Sequence, residues 1–233
     1  LSLNVSSSGL TSGASVSYSI LAATVSKITI AGPSSDISGS CAGPFTITTR
    51  DSSNNIAITA VNLNVNIYGG FNTSYFADSS CSSLISSVNI AASTSSNIFY
   101  VKSNYAQSTN LIAQTITEGT AVHPFTFTPL GGVTLKITGQ SSVGAGNCTS
   151  VMSIVLQDIY GNNAIASTNL NLNLSGNASA IMYSDASCTT TLTSPTILAS
   201  TDRLNFYIKD MVRESLILSA TATGVAGDTH GLI

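Results

Sequence analysis

The chain has very few charged residues and no tryptophan. Asp, Glu, Lys and Arg make up only 7% of its 233 residues, whereas they make up about a quarter of an average soluble protein. The seven Lys and Arg residues are scattered along the sequence, but phosphate binding needs clustered basic side chains. Together with the formal net charge of −3, this predicts no nucleic-acid partner and no binding to anionic membranes.

Long apolar runs are also absent, although the mean hydropathy of +0.34 is high enough to raise the question of a membrane protein. A membrane-spanning helix needs about 18 consecutive apolar residues. The apolar runs here, such as 20–23, are a handful of residues long and are interrupted by Ser, Thr or Asn. We therefore expect no membrane insertion. A surface rich in hydroxyls and amides is typical of exported proteins and also favours self-association.

The sequence does contain a long internal repeat. A single shift aligns the chain on itself without a gap, so that Cys41 matches Cys148 and Cys81 matches Cys188. Between positions 30 and 113, 30 of the 84 aligned pairs are identical. A period of this length is that of a whole sandwich domain of about 100 residues rather than of a solenoid unit.

Both copies show the alternation of a half-buried strand rather than the pattern of an amphipathic helix. The stretches 62–67 and 169–174 alternate asparagine with an aliphatic residue, as expected for a strand with one buried and one wet face. Turn residues separate about seven such short runs in each copy. The sequence predicts an all-β protein of two tandem immunoglobulin-like sandwiches, with an N-terminal strand, arm and linker (1–24), domain 1 (25–119) and a linker plus domain 2 (120–233).

The four cysteines fall into two pairs with the same separation in sequence, and they could bind metal or form disulfides. Zinc sites use short paired spacings such as Cys-x2-Cys, and no such spacing is present. We therefore predict the disulfides Cys41–Cys81 and Cys148–Cys188, and no metal site. Disulfides of this kind predict secretion to an oxidising compartment, outside the cell or on its surface.

Three stretches give the chain a resemblance to the tandem bacterial Ig-like repeats of surface and secreted adhesin-like proteins. These are the lead-in at 27–35, the hairpin turn at 158–163 and the segment 183–188 followed by Phe206-Tyr207-x-Lys209. The resemblance implies a spacer, stalk or adhesive fibre. It implies no catalytic residues and no cofactor. The first repeat departs from the pattern, with Asn54 where the turn has Gly161, which predicts a different turn type.

The remaining candidates for chemistry are sparse. His123 and His230 lie in stretches that look like linkers, which favours surface residues over members of a catalytic triad. Asp51 and Asp78 match Asp158 and Asp185 in the other repeat, so neither match is a facing catalytic pair. The Asp- and Asn-rich turns could hold Ca²⁺, but turn capping is the favoured interpretation. The sequence therefore predicts no enzyme.

Aromatic residues suggest one alternative function. Tyr68, Phe71 and Tyr75 lie close together in the first repeat only, and exposed aromatic rings can stack on sugars. A carbohydrate-binding accessory module, with surface glycans or proteins as partners, is therefore one hypothesis. The competing interpretation is that these rings fill the core and the strand edges.

The N-terminal arm suggests another alternative. Leu1, Leu3 and Val5 alternate with polar residues, as a strand does when it adds to the open edge of a neighbouring sheet. The hypotheses are therefore a non-catalytic structural or adhesive surface protein, a self-assembling filament subunit joined by this arm, and a sugar-binding module. The expected partners are copies of the same chain or neighbouring Ig-like repeats.

Overall fold

The computed structural model describes residues 19–233 and, nearer the N-terminus, residues 2–3, 8–9 and 16–17. The regular structure of these residues consists of β-strands, as predicted. No helix in this described part of the chain has the length and apolarity that crossing a bilayer requires. The strands are β1 (Ser2–Leu3), β2 (Val16–Ser17), β3 (Lys27–Ala31), β4 (Ser35–Ile37), β5 (Ala42–Arg50), β6 (Leu63–Tyr68), β7 (Ser74–Phe76), β8 (Leu84–Ile85), β9 (Ser87–Ile90), β10 (Ser96–Lys102), β11 (Gln107–Gln114), β12 (Thr120–Thr128), β13 (Thr134–Thr138), β14 (Met152–Gln157), β15 (Leu170–Asn171), β16 (Asn173–Ser175), β17 (Ile181–Tyr183), β18 (Thr196–Ile197), β19 (Arg203–Lys209), β20 (Leu216–Ala222) and β21 (Val225–Leu232).

The chain forms two compact units that are not contiguous in sequence. Unit 1 comprises Leu1–Ser34, Cys41–Lys102 and Thr109–Phe125, and unit 2 comprises Ser35–Ser40, Ser103–Ser108 and Thr126–Ile233. Each unit contains one disulfide. The sheets of the two repeats form immunoglobulin-like β-sandwiches, which confirms the predicted fold class.

The first repeat is built from two five-stranded sheets, in the orders β3-β5-β10-β7-β8 and β4-β12-β11-β6-β9. The alternation in the sequence explains how strand β6 sits between core and solvent. Val65 and Ile67 are buried, whereas Asn64 and Asn66 are exposed. In the core of unit 1 the ring of Phe45 stacks on Phe99 at 5.4 Å and meets the edge of Phe125 at 5.3 Å.

The second repeat joins strands from both faces into one seven-stranded sheet, in the order β16-β20-β21-β13-β14-β19-β17, with β15 and β18 paired separately. A parallel bridge between Thr134 and Ala226 makes this connection. The hydrophobic cluster between the strands of the second repeat is mostly aliphatic and surrounds Phe206. Its largest fully buried members are Met152, Ile154, Ile197, Phe206 and Ile208.

Two of the predicted strand and linker assignments differ from the structure. The run 169–174, predicted as one strand, forms two short strands, β15 and β16, that pair with β18 and β20 respectively. The segment after residue 119, predicted as a linker, begins with the nine-residue strand β12. The prediction missed β12 because Pro124 and the polar residues around it mask the alternation of Ala121, Phe125 and Phe127, which are buried.

The prediction of a different turn type in the first repeat is also wrong. Asn54 adopts φ +70°, close to the +83° of Gly161. Both residues donate their backbone N–H to the carbonyl of the turn aspartate at 3.1 Å. Asparagine tolerates the left-handed region better than most residues with a side chain, so the turn keeps its conformation despite the substitution.

Candidate functional site

The two disulfides lie at equivalent places in the two repeats. Cys41–Cys81 and Cys148–Cys188 have Cα–Cα distances of 5.7 and 5.8 Å, and they are the two pairs that the spacing of the cysteines predicts. Each bond joins the segment before a long strand, β5 or β14, to a loop that follows a short strand, β7 or β17. No free cysteine remains.

An aspartate organises each disulfide loop. Asp185 accepts the backbone N–H of Thr190 at 2.6 Å, and its other oxygen accepts the N–H and hydroxyl of Ser187 at 3.1 and 2.9 Å. Asp78 binds Ser80 and Ser83 in the same way.

These hydrogen bonds hold the pKa of both aspartates well below the ordinary value. The largest contribution comes from the backbone of Thr190 for Asp185 and from the hydroxyl of Ser80 for Asp78. The carboxylates are occupied by N–H and O–H donors and cap the loops. In residues 19–233 no group of three or more His, Cys, Asp or Glu side chains comes together to hold a metal ion.

A second repeated aspartate clamps the chain that leads into each repeat. Asp51 Oδ2 accepts the backbone N–H of Ala23, and Asp158 Oδ2 accepts that of Leu130, both at 3.1 Å. The side chains of Asn55 and Asn162 donate to the same carboxylates at 3.0 and 2.8 Å. The sequence pattern does not reveal this clamp, because the donor is a main-chain group with no side-chain signature, although Ala23 and Leu130 are matched by the same repeat alignment.

The clamp lowers the pKa of both carboxyl groups. The Asn55 amide is the largest cause at Asp51. At Asp158 burial acts to raise the pKa, but the hydrogen bonds from Asn162, Leu130 and Tyr160 hold it below the ordinary value. Both groups are therefore ionised structural acceptors at neutral pH.

The histidines do not lie in linkers, which corrects the prediction. His123 is a half-buried residue of strand β12, where its Nε2 lies 2.8 Å from the Pro33 carbonyl and its ring meets the edge of Phe45. His230 lies in strand β21, with its Nε2 3.1 Å from the Gln140 carbonyl. They are repeat equivalents, and each ties a closing strand to the lead-in of its own repeat.

The predicted sugar-stacking residues do not share one exposed face. Tyr75 is only 7% exposed and donates its hydroxyl to the Gly69 carbonyl at 2.8 Å, and burial raises its pKa. Tyr68 and Phe71 are exposed. Tyr75 therefore offers no ring face to a sugar, which corrects that part of the prediction. Sugar binding at Tyr68 and Phe71 stays a prediction.

The predicted strand-donor arm lies mostly outside the described residues, since Leu1 and Val5 are not among them. The backbone of Leu3 pairs with Val16 of the same chain in the two-stranded sheet β1-β2. Strand donation by the arm stays a prediction.

Each unit has a concave region among its described residues. Unit 2 has a cavity of about 400 Å³ between the loop at 143–145, Asp210 with the segment 212–216, and the residues Leu232 and Ile233. Unit 1 has a groove of about 190 Å³ lined by Val25, Ile58, Val61 and Glu118, among others. The Oε2 atom of Glu118 is buried and accepts no hydrogen bond from a described residue.

The comparisons with known proteins identify no family. No protein-family model matches the sequence, and no curated protein sequence matches it. Solved structures that resemble the fold include the adhesin FdeC of Escherichia coli, with 14% identity over 92% of this chain and 66% of that one, at a TM-score of 0.47.

Other similar structures come from different functional classes. Domains 4 and 5 of the S-layer protein SbsC share 14% identity over 57% of this chain and 67% of that one, with a TM-score of 0.31. A β-glycosidase from Bacteroides vulgatus shares 12% identity over 88% of this chain at a TM-score of 0.38. This chain spans only 24% of the glycosidase. These scores all lie below 0.5, so the likenesses carry no functional argument.

Proposed function

We propose that the chain is a non-catalytic extracellular protein whose tandem Ig-like domains form part of a stalk or fibre on a cell surface. The observation that carries this proposal is the repetition of one disulfide-closed sandwich. Its main strands, its aspartate clamp and its disulfide loop all recur in the second repeat. What is repeated is the framework, since the candidate sugar-binding rings and Glu118 have no counterpart in the second repeat.

The two disulfides support the extracellular location. Stable disulfides persist in oxidising compartments and are rare in the cytosol. The surface supports it too, because it is polar through hydroxyls and amides rather than through charges. The four carboxylates that recur in both repeats, those of Asp51, Asp78, Asp158 and Asp185, are occupied by turn and loop hydrogen bonds.

The proposal is tested on cells that make the protein naturally. Intact cells are treated with a protease that does not cross membranes, and with a thiol-blocking reagent before lysis. We expect the protein to be cleaved from intact cells and its four cysteines to remain unmodified unless a reductant is added first. Protection from the protease until lysis, or four freely reactive thiols, would overturn the proposal.

A further inference from the structure

The turn Asp158–Asn162 does more in unit 2 than clamp its own lead-in. The side-chain Nδ2 of Asn162 donates to the Asn104 carbonyl at 2.8 Å, and its Oδ1 accepts the backbone N–H of Ala106 at 2.9 Å. One asparagine thereby satisfies two main-chain groups of the segment Ser103–Ser108, which belongs to the same unit.

The same turn also holds the segment Ser35–Ser40 of unit 2. The hydroxyl of Ser38 donates to Asp158 Oδ2 at 3.3 Å. Tyr160 lies directly against Gly39, since a Cβ atom at Gly39 would collide with the tyrosine hydroxyl. Asp158 and Ser38 are each only 2% exposed, so the carboxylate of the turn and the hydroxyl that it accepts form a buried contact in unit 2.

Unit 1 carries the same turn, but its asparagine binds no second segment among the described residues. Asn55 N–H donates to Asp51 Oδ1 at 2.8 Å, as Asn162 does to Asp158 at 2.9 Å. However, Asn55 is exposed, and no described residue donates to its Oδ1. Ile20, in the lead-in that Asp51 clamps, is 83% exposed, whereas its repeat equivalent, Phe127, is 1% exposed.

The segment at the unit 2 cavity is the repeat equivalent of the segment Ser103–Ser108, to which Asn162 binds. The repeat alignment places Asn104 on Met211 and Ala106 on Arg213. The local geometry is the same, because Gly146 N–H donates to the Asp210 carbonyl at 2.6 Å, as Gly39 does to Ser103 at 2.7 Å.

The Met211 carbonyl and the Arg213 N–H, at this cavity, are the repeat equivalents of two main-chain groups that Asn162 binds. Those two groups are the Asn104 carbonyl and the Ala106 N–H. In residues 19–233 no hydrogen bond occupies the Met211 carbonyl or the Arg213 N–H. The cavity is lined by apolar residues, including Val212 and Ile233, which are exposed by 53% and 77%, and by the charged residues Asp210, Arg213 and Glu214. Met211, next to this lining in sequence, is 72% exposed.

We propose that this cavity binds the Asp51–Asn55 turn of a second copy of the chain, so that copies associate end to end. Asn55 of one copy donates to the Met211 carbonyl and accepts the Arg213 N–H of the other, while Ile20 covers the exposed apolar residues of the cavity. The contact joins two different surfaces, so it leaves one turn and one cavity free and continues into a chain of copies. The inference rests on the proposed function in that it supplies the partner of a surface fibre.

Two of the contacts made in unit 2 have no equivalent in this interface. Ala145 stands in place of Ser38, and Ser53 stands in place of Tyr160. Association of the natural protein is therefore weaker than the equivalent contact inside unit 2. These two positions also allow a variant that gains affinity, which a folding defect cannot imitate.

The test measures self-association of the full chain 1–233 by analytical ultracentrifugation up to about 1 mM. We expect Ser53→Tyr combined with Ala145→Ser to lower the dissociation constant by about tenfold or more, since each 1.4 kcal/mol gained is a factor of ten. Ser52→Tyr is the matched control, because it adds the same ring at a position whose equivalent, Ile159, is 70% exposed.

Two blocking variants establish the polarity of the contact. Asn55→Ala removes the turn amide and Ala145→Trp fills the cavity at an exposed position, with Asn64→Ala on the exposed face of strand β6 as the control. Each blocked variant keeps one working surface, so a mixture of the two forms pairs that do not grow further.

Three results would overturn the inference. These are monomers at 1 mM for both the natural chain and the Ser53→Tyr/Ala145→Ser variant, association unaffected by Ala145→Trp, and association that depends on residues 1–8 instead. None of them bears on the cell-surface location, which the protease and thiol experiments test separately.

Discussion

The carboxylate of Asp158 accepts the backbone N–H of Leu130 at 3.1 Å, so one side chain fixes the point at which the chain enters the second repeat. The same carboxylate also accepts hydrogen bonds from the Tyr160 backbone N–H, the Asn162 side-chain amide and the Ser38 hydroxyl. Removing a buried acceptor with several donors destabilises the folded protein strongly, because the donors are left without partners.

We expect Asp158→Ala to reduce the free energy of unfolding by about 1–3 kcal/mol, the usual cost of leaving buried polar groups unsatisfied. Asp158→Asn keeps one acceptor oxygen, so it should cost less. Urea denaturation at pH 7 measures both. Equal and negligible effects for the two variants would show that the clamp is not a stabilising element.

Acid should destabilise the protein through the disulfide-loop aspartates. The pKa values of Asp78 and Asp185 in the folded chain lie below the ordinary value of 3.8. Their contribution to stability is therefore complete above about pH 5 and is lost as the pH falls through 3.8 toward the folded pKa. In this pH range the unfolded chain binds more protons than the folded chain, so the stability decreases as the pH falls.

Thermal melts at pH 7, 4 and 2.5 test this expectation. The Asp78→Asn/Asp185→Asn variant should be less stable than the natural chain at pH 7, and the difference should shrink at pH 2.5. A constant difference across the three pH values would mean that the two carboxylates do not titrate with folding.

Removing the disulfide of the second repeat should strongly destabilise that repeat. Loop-closure entropy for a separation of 40 residues corresponds to about 4 kcal/mol. We expect Cys148→Ser/Cys188→Ser to lower the melting temperature markedly, and a reductant to add a further decrease through Cys41–Cys81 only. Calorimetry with and without reductant measures both, and a reductant effect equal to that on the natural chain would contradict the prediction.

Tyr75 should behave as a core residue rather than as a ligand-binding residue. Because its ring is buried, Tyr75→Ala should cost about 3–5 kcal/mol, as large aromatic truncations do. The neighbour Phe71, whose side chain is 65% exposed, is the control, and Phe71→Ala should cost clearly less than Tyr75→Ala. Chemical denaturation measures both, while a screen of both variants against glycans separates a stability effect from lost sugar binding.

The fold class could be predicted because its determinants are local or repeated. The alternation around Val65 and Ile67 and the matched cysteine separations each point to the same sandwich. The match of Cys41 and Cys81 to Cys148 and Cys188 is especially informative, because the two repeats of one chain can be compared with each other.

The missed features have a different physical origin. Strand β12 is held by pairing along a sheet and by contacts such as that of His123 with the Pro33 carbonyl, which are distant in sequence. The clamp at Ala23 and Leu130 uses main-chain donors, which any residue except proline provides. Such features can be identified only from the three-dimensional structure, which shows which residues distant in sequence are in contact.

The position of each disulfide also determines how a repeat responds to a pulling force. Cys41 and Cys81 are 40 residues apart in sequence, and their disulfide closes the chain between them into a loop. While it is intact, force applied along the backbone passes through the sulfur atoms and cannot straighten the enclosed loop. At about 3.3–3.6 Å per extended residue, roughly 130–145 Å of contour length stays locked in each repeat. An oxidised tether would therefore lengthen less before it stiffens than a reduced one.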